Sequence, residues 1–290
     1  MMKSLHIITP VKDSIDSTLE TVRAIKASHI TVPFTYTIYN DFSTPENTQR
    51  LEAASKELGF ELVNLSDLTT HPSPNYLLVL QRVQQECIER DAAMLIVESD
   101  VVVAPNTLQG LYDGAAQREN CAIAASVTVN DAGEINYPYE YAKGKENQVV
   151  EEKKHLSFCC SLLTPEFLRR FDFHELDPEK NWFDVTISHK ALEIGMKNFL
   201  WGASLLVTGS QMISGFPDGY LNLIGSGNAD ISRCLFDNRC RHRISARRRC
   251  IVGQIHLHSQ MFSKGRRHIP GGSEHVDFQF SHQFLNRFVL

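Results

Sequence analysis

Two carboxylates that flank one small residue form the strongest chemical signal in the sequence. Glu98-Ser99-Asp100 directly follows Ala93–Val97, a run that is wholly apolar. Carboxylates at a strand end can hold a divalent cation and leave coordination positions open for phosphate oxygens. Two solvated acids with a local turn at Ser99 fit the same three residues. The segment by itself therefore leaves a metal site and a simple turn as alternatives.

A second polar segment, Asn40-Asp41-Phe42-Ser43, follows the run Phe34–Tyr39, which is rich in aromatic and β-branched residues. An acidic side chain at such a strand end can accept hydrogen bonds from a ribose or from the imide of uracil. An Asx turn that leads into a helix at Thr44-Pro45 fits equally well. The residues alone do not choose between these two interpretations.

A third candidate is Asp184, which stands where a helix over Asp184–Ile194 is expected to begin, with Gly195 ending it. Aspartate is a favoured N-cap residue, and the same carboxylate, if it faces a cleft, can act as a general base. Trp182 and Phe183 precede it and could stack on a sugar ring. Burial in a core is the commoner outcome for such aromatic residues.

Elements that alternate between strand and helix must position these side chains. Continuous apolar strands separated by helices predict an α/β fold, with a mostly parallel central sheet flanked by helices. Ligands of such sheets bind beyond the carboxyl ends of the strands, where the polar segments lie. The expected strands are Leu5–Thr9 (ended by Pro10), Phe34–Tyr39, Glu61–Leu65, Ala93–Val97, Cys121–Val129, Leu156–Leu163 and Leu200–Val207. Helices are expected to start at the capping box Ser17-Thr18-Leu19-Glu20, at Thr44-Pro45, at Asn75 and at Thr164-Pro165.

Composition excludes several classes of protein. The chain has 290 residues, of which 42% are hydrophobic and 22% charged, so it is neither disordered nor fibrous. A net charge of −5 argues against a nucleic-acid partner. No apolar run approaches the length of a transmembrane helix, and the N-terminus does not read as a signal peptide. Seven cysteines without a disulfide framework predict a reducing, cytoplasmic location.

Three segments in this order resemble the nucleotide-binding half of the family 2 glycosyltransferases, which have the glycosyltransferase A fold. They are Ile7-Ile8-Thr9-Pro10-Val11-Lys12, Asn40-Asp41-Phe42-Ser43 and Glu98–Pro105, and the resemblance covers about residues 5–110. It implies that Pro10 lines a base pocket, that Asp41 binds uracil or ribose, and that Asn75 lies near the nucleotide. It also implies that Glu98 and Asp100 are metal ligands, with Ser99 between them on the nucleotide side.

The second half of the chain is similar to the acceptor region of the same family. Trp182-Phe183-Asp184 matches the segment that carries the catalytic base, which implies that Asp184 deprotonates an acceptor hydroxyl and that Trp182 and Phe183 contact the acceptor. The resemblance predicts a nucleotide-binding half at 1–110 and an acceptor half at 111–208. The implied activity is inverting sugar transfer that uses Mn²⁺ or Mg²⁺. The implied donor is a nucleotide sugar, with a UDP-sugar favoured, and the implied acceptor is a carbohydrate or a lipid-linked carbohydrate.

Two other functions stay open. One is a nucleotide- or carbohydrate-binding relative without turnover, since Glu98 stands where the family usually has aspartate. The other is a nucleotidyltransferase, which is disfavoured because Pro10–Ser14 lacks the glycines that would grip phosphates.

The C-terminal part differs in composition from the rest. Residues 231–290 contain 11 Lys and Arg against 3 Asp and Glu, which predicts a basic, Arg/His/Cys-rich extension over 209–290. Its cysteine and histidine intervals do not follow zinc-site spacing. A basic patch could contact anionic lipid at the inner face of a membrane. A disturbed reading frame past Val207 is another explanation, because Thr208-Gly209-Ser210 stands where the family often has a metal-binding histidine. The patch consists of Arg239, Arg241, Arg243, Arg247, Arg248 and Arg249.

Overall fold

The computed structural model describes residues 2–130, 133–135, 139–145, 148–180, 182–202 and 207–209. The predicted basic extension, apart from its first residue, lies outside these ranges, as does its patch of arginines. The strands are β1 (Ser4–Val11), β2 (Phe34–Asn40), β3 (Glu61–Asn64), β4 (Ala92–Val97), β5 (Val101–Val103), β6 (Cys121–Ser126), β7 (Thr128–Val129), β8 (Val149–Glu152), β9 (Cys160–Leu163), β10 (Lys197–Trp201) and β11 (Val207–Gly209). The helices are α1 (Ile15–Ala27), α2 (Pro45–Leu58), α3 (Tyr76–Arg90), α4 (Thr107–Ala116), α5 (Pro165–Arg170) and α6 (Phe183–Glu193). Within the described ranges, no helix is long and apolar enough to cross a membrane.

Eight strands form the central sheet, in the order β3-β2-β1-β4-β9-β6-β10-β8. Six of them run in one direction, while β9 and β8 run in the other. The predicted α/β architecture with a mostly parallel sheet is therefore confirmed. A smaller sheet has the order β5-β11-β7.

The central sheet is covered on both faces. Alternate residues of β4 enter two different hydrophobic clusters, Met94 and Ile96 in one, Leu95 and Val97 in the other. Helices α3, α5 and α6 contribute to the first cluster, and α1, α2 and α4 to the second. Because side chains alternate across a strand, burial on both faces requires the continuous apolar run seen in the sequence.

The order of the strands reverses between β1 and β4, which are parallel neighbours. From β1 the chain moves outward to β2 and β3, then crosses back to form β4 on the other side of β1. Crossovers on opposite sides of one strand leave a crevice at the carboxyl ends, where ligands of open α/β sheets bind. The segments that follow β1, β2 and β4 therefore meet at one edge, called here the carboxyl edge.

Two local predictions near the N-terminus are wrong. Strand β1 does not end at Pro10 but continues to Val11. Proline is tolerated there because the pairing of β1 with β4 extends only to Ile8, so the missing N–H breaks no bond on that side. Helix α1 begins at Ile15, and the hydroxyl of Ser17 donates to the carbonyl of Ser14 instead of forming a capping box.

Several predicted strands in the second half have different bounds. The run Cys121–Val129 divides into β6 and β7, which belong to different sheets. Strand β9 starts only at Cys160, since the apolar residues before it are buried in a loop. The strand expected over Leu200–Val207 is not one strand, since Leu200 and Trp201 end β10 and Val207 begins β11. Burial by tertiary packing thus makes some loop residues as apolar as a strand, and the sequence pattern cannot separate the two.

Gly114 of α4 leaves the space that Trp201 occupies. A Cβ atom at Gly114 would lie 2.2 Å from Cζ2 of Trp201, and the guanidinium of Arg118 lies 4.8 Å from the centre of that indole. Overpacking a core costs roughly 1–3 kcal/mol, whereas alanine gains only about 1 kcal/mol in helix propensity over glycine.

Because the clash with the Trp201 ring is severe, the overpacking cost should lie in the upper part of that range, at about 2–3 kcal/mol. We therefore expect Gly114→Ala to lower the free energy of unfolding by about 1–2 kcal/mol in urea titrations, net of the propensity gain. Combining it with Trp201→Phe, which withdraws the clashing ring, should cost less than the two single changes summed. A Gly114→Ala variant as stable as the parent protein would contradict this account of the packing.

Candidate active site

Three carboxylates come together at the carboxyl edge. Glu98 and Asp100 follow β4 in a turn in which the amide of Val101 donates to the carbonyl of Glu98 at 3.2 Å. The amide of Glu98 donates to the carbonyl of Cys159 at 3.0 Å, which ties the end of β4 to the start of β9. Asp184 approaches from the first turn of α6. The turn considered as the alternative at Ser99 is present, and it presents both acids.

Asp184 is not the helix cap that the sequence suggests. Trp182 occupies the N-cap position, and α6 begins at Phe183. The Oδ1 atom of Asp184 accepts a hydrogen bond from the backbone amide of Val185 at 2.8 Å. Its carboxylate therefore belongs to the first turn, where the helix dipole favours a negative charge.

Burial raises the pKa of all three acids, and at Glu98 the two neighbouring aspartates raise it further. Burial raises the pKa of Glu98 to about 8, the charges of Asp100 and Asp184 add to the rise, and a hydrogen bond with Cys159 offsets part of it. Burial also raises the pKa of Asp100 to about 6. The pKa of Asp184 is raised by burial, with the Val185 amide and the charge of His155 opposing the shift.

Glu98 and Asp100 suit a hard divalent cation. Carboxylate oxygens are the ligands that Mg²⁺ and Mn²⁺ prefer, and a positive ion would relieve the repulsion that raises the pKa of Glu98. Over the described ranges, no group of three or more His, Cys, Asp or Glu side chains is arranged to hold a metal ion. Two carboxylates fit an ion whose remaining ligands are water and substrate phosphates, as is usual for Mg²⁺.

Asp41 and Asn75, which the sequence places far apart, are in direct contact. Oδ1 of Asp41 accepts from Nδ2 of Asn75 at 2.8 Å. Its Oδ2 accepts from the Asn75 amide at 2.9 Å and from Oγ of Ser73 at 2.7 Å. The pair ties the end of β2 to the start of α3. The Asx turn that was the alternative at this segment is made by Asn40, whose Oδ1 accepts from the amide of Ser43 at 3.2 Å.

The loop after β1 is joined to the same region by Asp13, which is not among the site residues predicted from the sequence. Its carboxylate accepts from the amide of Thr44 at 2.6 Å and from Nδ2 of Asn47 at 3.1 Å. Asp13 has a φ of 58°, a left-handed conformation that aspartate tolerates better than most residues. Pro10 lies inside β1, opposite Tyr39 of β2, and is partly exposed.

The two candidate acceptor aromatics have different environments. Trp182 is 36% exposed, so its ring is available to a ligand. Phe183 is only 6% exposed, and its ring centre lies 6.3 Å from that of Tyr76. A cleft of about 330 Å³ beside α6 is lined by Phe183 together with Phe171 and Lys190, and it includes none of the three carboxylates.

Comparison with known proteins identifies relatives by structure alone. No family model matches the chain, and no curated protein matches it in sequence. A structure of S. aureus TarS 1-349 matches 71% of the chain with a TM-score of 0.52 at 15% identity, and the chain spans 60% of its length. TarS 1-349 in complex with UDP-GlcNAc matches 90% of the chain, which covers 73% of that structure, with a TM-score of 0.51 at 14% identity.

A second kind of neighbour is the mannosyltransferase PcManGT from Pyrobaculum calidifontis, solved in complex with GDP-Man and Mn²⁺. It matches 88% of the chain, which covers 70% of that structure, with a TM-score of 0.52 at 12% identity. Likeness at this level of identity concerns the fold. The chain shares the fold of these proteins, which is the glycosyltransferase A type expected from the sequence.

Proposed function

We propose that the chain is a metal-assisted glycosyltransferase that moves a sugar from a nucleotide sugar to an acceptor hydroxyl with inversion. The observation that carries this proposal is the convergence of Glu98, Asp100 and Asp184 at the carboxyl edge, where burial and then the charges of the two aspartates raise the pKa of Glu98. Acids that converge in this way destabilise the fold by mutual repulsion, and a bound cation would offset that repulsion. Clusters of this kind are typical of functional sites. The fold of the chain supports the same conclusion.

Glu98 and Asp100 would hold a divalent cation, Mn²⁺ or Mg²⁺. That cation supplies positive charge which stabilises the departing diphosphate. Ser99, central in the turn between the two acids, would stand on the nucleotide side. The short turn keeps Glu98 and Asp100 at a fixed separation because the amide of Val101 closes it.

In the transfer step, Asp184 would act as the general base. Its carboxylate takes the proton of the acceptor hydroxyl while that oxygen forms a bond to the anomeric carbon. The bond from the anomeric carbon to the diphosphate oxygen breaks in the same step, and the nucleoside diphosphate leaves. Attack opposite the leaving group inverts the configuration. The raised pKa of Asp184 makes it a stronger base than an ordinary aspartate. Trp182 is exposed near Asp184 in the chain and would stack on the acceptor sugar. Phe183 is buried against the ring of Tyr76 and would support that surface from inside the protein.

The donor's base would lie near Pro10, Asp41 and Asn75. Asp41 already accepts three hydrogen bonds, so it retains capacity for about one more, from a ribose or uracil donor. A UDP-sugar is the favoured donor, in keeping with the family resemblance and with the UDP-GlcNAc bound to TarS. The GDP-Man of PcManGT makes GDP-sugars the first alternative to test.

Calorimetric titration with UDP, GDP and dTDP, each with and without Mn²⁺, tests the donor site. We expect Mn²⁺ to tighten the binding of one nucleotide, and Asp100→Asn to remove at least tenfold of that tightening because a cation ligand is lost. Asp172→Asn, at an exposed acid paired with His174, is the matched control and should bind like the parent protein. No binding of any nucleotide would refute the proposed function.

A further inference from the structure

The hydroxyl of Tyr76 is buried at the carboxyl edge and has no hydrogen-bond partner within the described part of the chain. Tyr76 is the first residue of α3 and directly follows Asn75. Its Oη atom is removed from solvent and bonds to no residue that the structure describes. By contrast, the hydroxyl of the buried Tyr36 shares a hydrogen bond with Oγ1 of Thr9 at 3.1 Å. An orphaned hydroxyl costs folding free energy, so its retention needs a reason.

Two of the three carboxylates of the proposed site act electrostatically on this hydroxyl. The ring of Tyr76 packs against Phe183, the residue that precedes Asp184. Burial raises the pKa of Tyr76 well above its usual value, and the charges of Glu98 and Asp184, in that order, raise it further. The phenol is therefore close enough to sense both carboxylates, yet it is hydrogen-bonded to neither.

Of the two carboxylates, Glu98 has the greater need of a donor. Asp184 already accepts the amide of Val185 at 2.8 Å. The hydrogen bond to the Glu98 carboxyl comes from Cys159, and a thiol is a weak donor. A carboxylate that binds a cation keeps lone pairs that an outer donor must satisfy, and such donors orient the ligand.

We propose that Tyr76 is a positioning residue for Glu98, whose carboxylate it meets with a hydrogen bond when cation and nucleotide are bound. This inference rests on the proposed function. The ring is held by its packing on Phe183, so the hydroxyl is supplied from a side chain that needs little further ordering. The Tyr76 hydroxyl would then donate to the Glu98 carboxylate only in the bound state.

The variant Tyr76→Phe separates this role from a structural one. We expect the melting temperature of the ligand-free protein to be unchanged or higher, because the orphaned group is gone. The Kd for UDP in the presence of Mn²⁺ should rise about 10- to 100-fold, while the Kd without Mn²⁺ stays the same. In the control Tyr36→Phe a paired hydroxyl is lost, so the melting temperature should fall and both Kd values should stay as in the parent protein.

A second background tests whether the effect passes through Glu98. Glu98→Asp keeps a carboxylate but moves it one methylene away from Tyr76. Adding Tyr76→Phe to this variant should therefore change the Kd for Mn²⁺-UDP less than about twofold. If the two residues acted independently, Tyr76→Phe would raise the Kd by the same factor as in the parent protein. An equal effect in both backgrounds would overturn the proposal. So would a Tyr76→Phe protein that binds Mn²⁺-UDP like the parent. Failure of the parent itself to bind UDP with Mn²⁺ would overturn the proposed function, and this inference with it.

Discussion

Replacing Asp184 with asparagine should lower the rate of sugar transfer about 10²- to 10⁴-fold, the usual contribution of a general base. Asparagine keeps the size and the hydrogen bond to the Val185 amide but cannot take a proton. The affinity for Mn²⁺ and nucleotide should change far less than the rate, because Asp184 is not one of the two proposed cation ligands.

Turnover of the nucleotide sugar by the parent protein and by Asp184→Asn, with release of nucleoside diphosphate as the readout, measures this effect. Glu193→Gln on the same helix is the control, since Glu193 is exposed and pairs only with Lys190 at 3.6 Å among the described residues. It should leave the rate unchanged. If Asp184→Asn transferred sugar at the parent rate, Asp184 would not be the general base. If it lost affinity for the nucleotide, Asp184 would serve binding instead.

Glu98→Gln should stabilise the ligand-free protein at neutral and alkaline pH while it removes the effect of Mn²⁺ on nucleotide binding. The pKa of Glu98 is raised by burial, and by Asp100 and Asp184, from 4.5 to about 8. Ionisation therefore costs the folded state, and the contribution of Glu98 to stability is fully present below pH 4.5 and is lost as the pH rises through 8. The loss is about 1.4 kcal/mol per pH unit over that window as an upper bound, because the residue as a whole is partly exposed to solvent.

Urea unfolding in EDTA between pH 4.5 and 9 measures the difference between the two proteins. The free energy of unfolding of Glu98→Gln should exceed that of the parent by a margin that grows with pH and levels off above pH 8. Glu57→Gln, at an exposed position of α2, should show no such pH-dependent difference. Parallel pH profiles for Glu98→Gln and the parent would mean that Glu98 ionises in the folded protein as easily as in water.

Helix caps and apolar runs predict much of the secondary structure of the first hundred residues. Thr44 caps α2, with Pro45 at its first position and Gly59 in a left-handed conformation after its end, all as their types indicate. Strand β4 is buried along its whole length, and its wholly apolar composition follows from that. Each of these features depends on residues within a few positions of one another, so the sequence pattern carries them. The capping box at Ser17 failed because Ser14 supplies the carbonyl that starts α1 three residues earlier.

The pattern of residues along the chain predicts the fold class and shows which polar residues follow which strands. Which of these residues meet depends on tertiary packing. Glu98 and Asp184 come from distant parts of the chain, and they are neighbours because α6 begins at the same edge of the sheet where β4 ends. The contact between Asp41 and Asn75 and the burial of the Tyr76 hydroxyl arise in the same way. Side-chain periodicity reports burial along one element, whereas these contacts depend on the order and direction of separate elements, which periodicity does not encode.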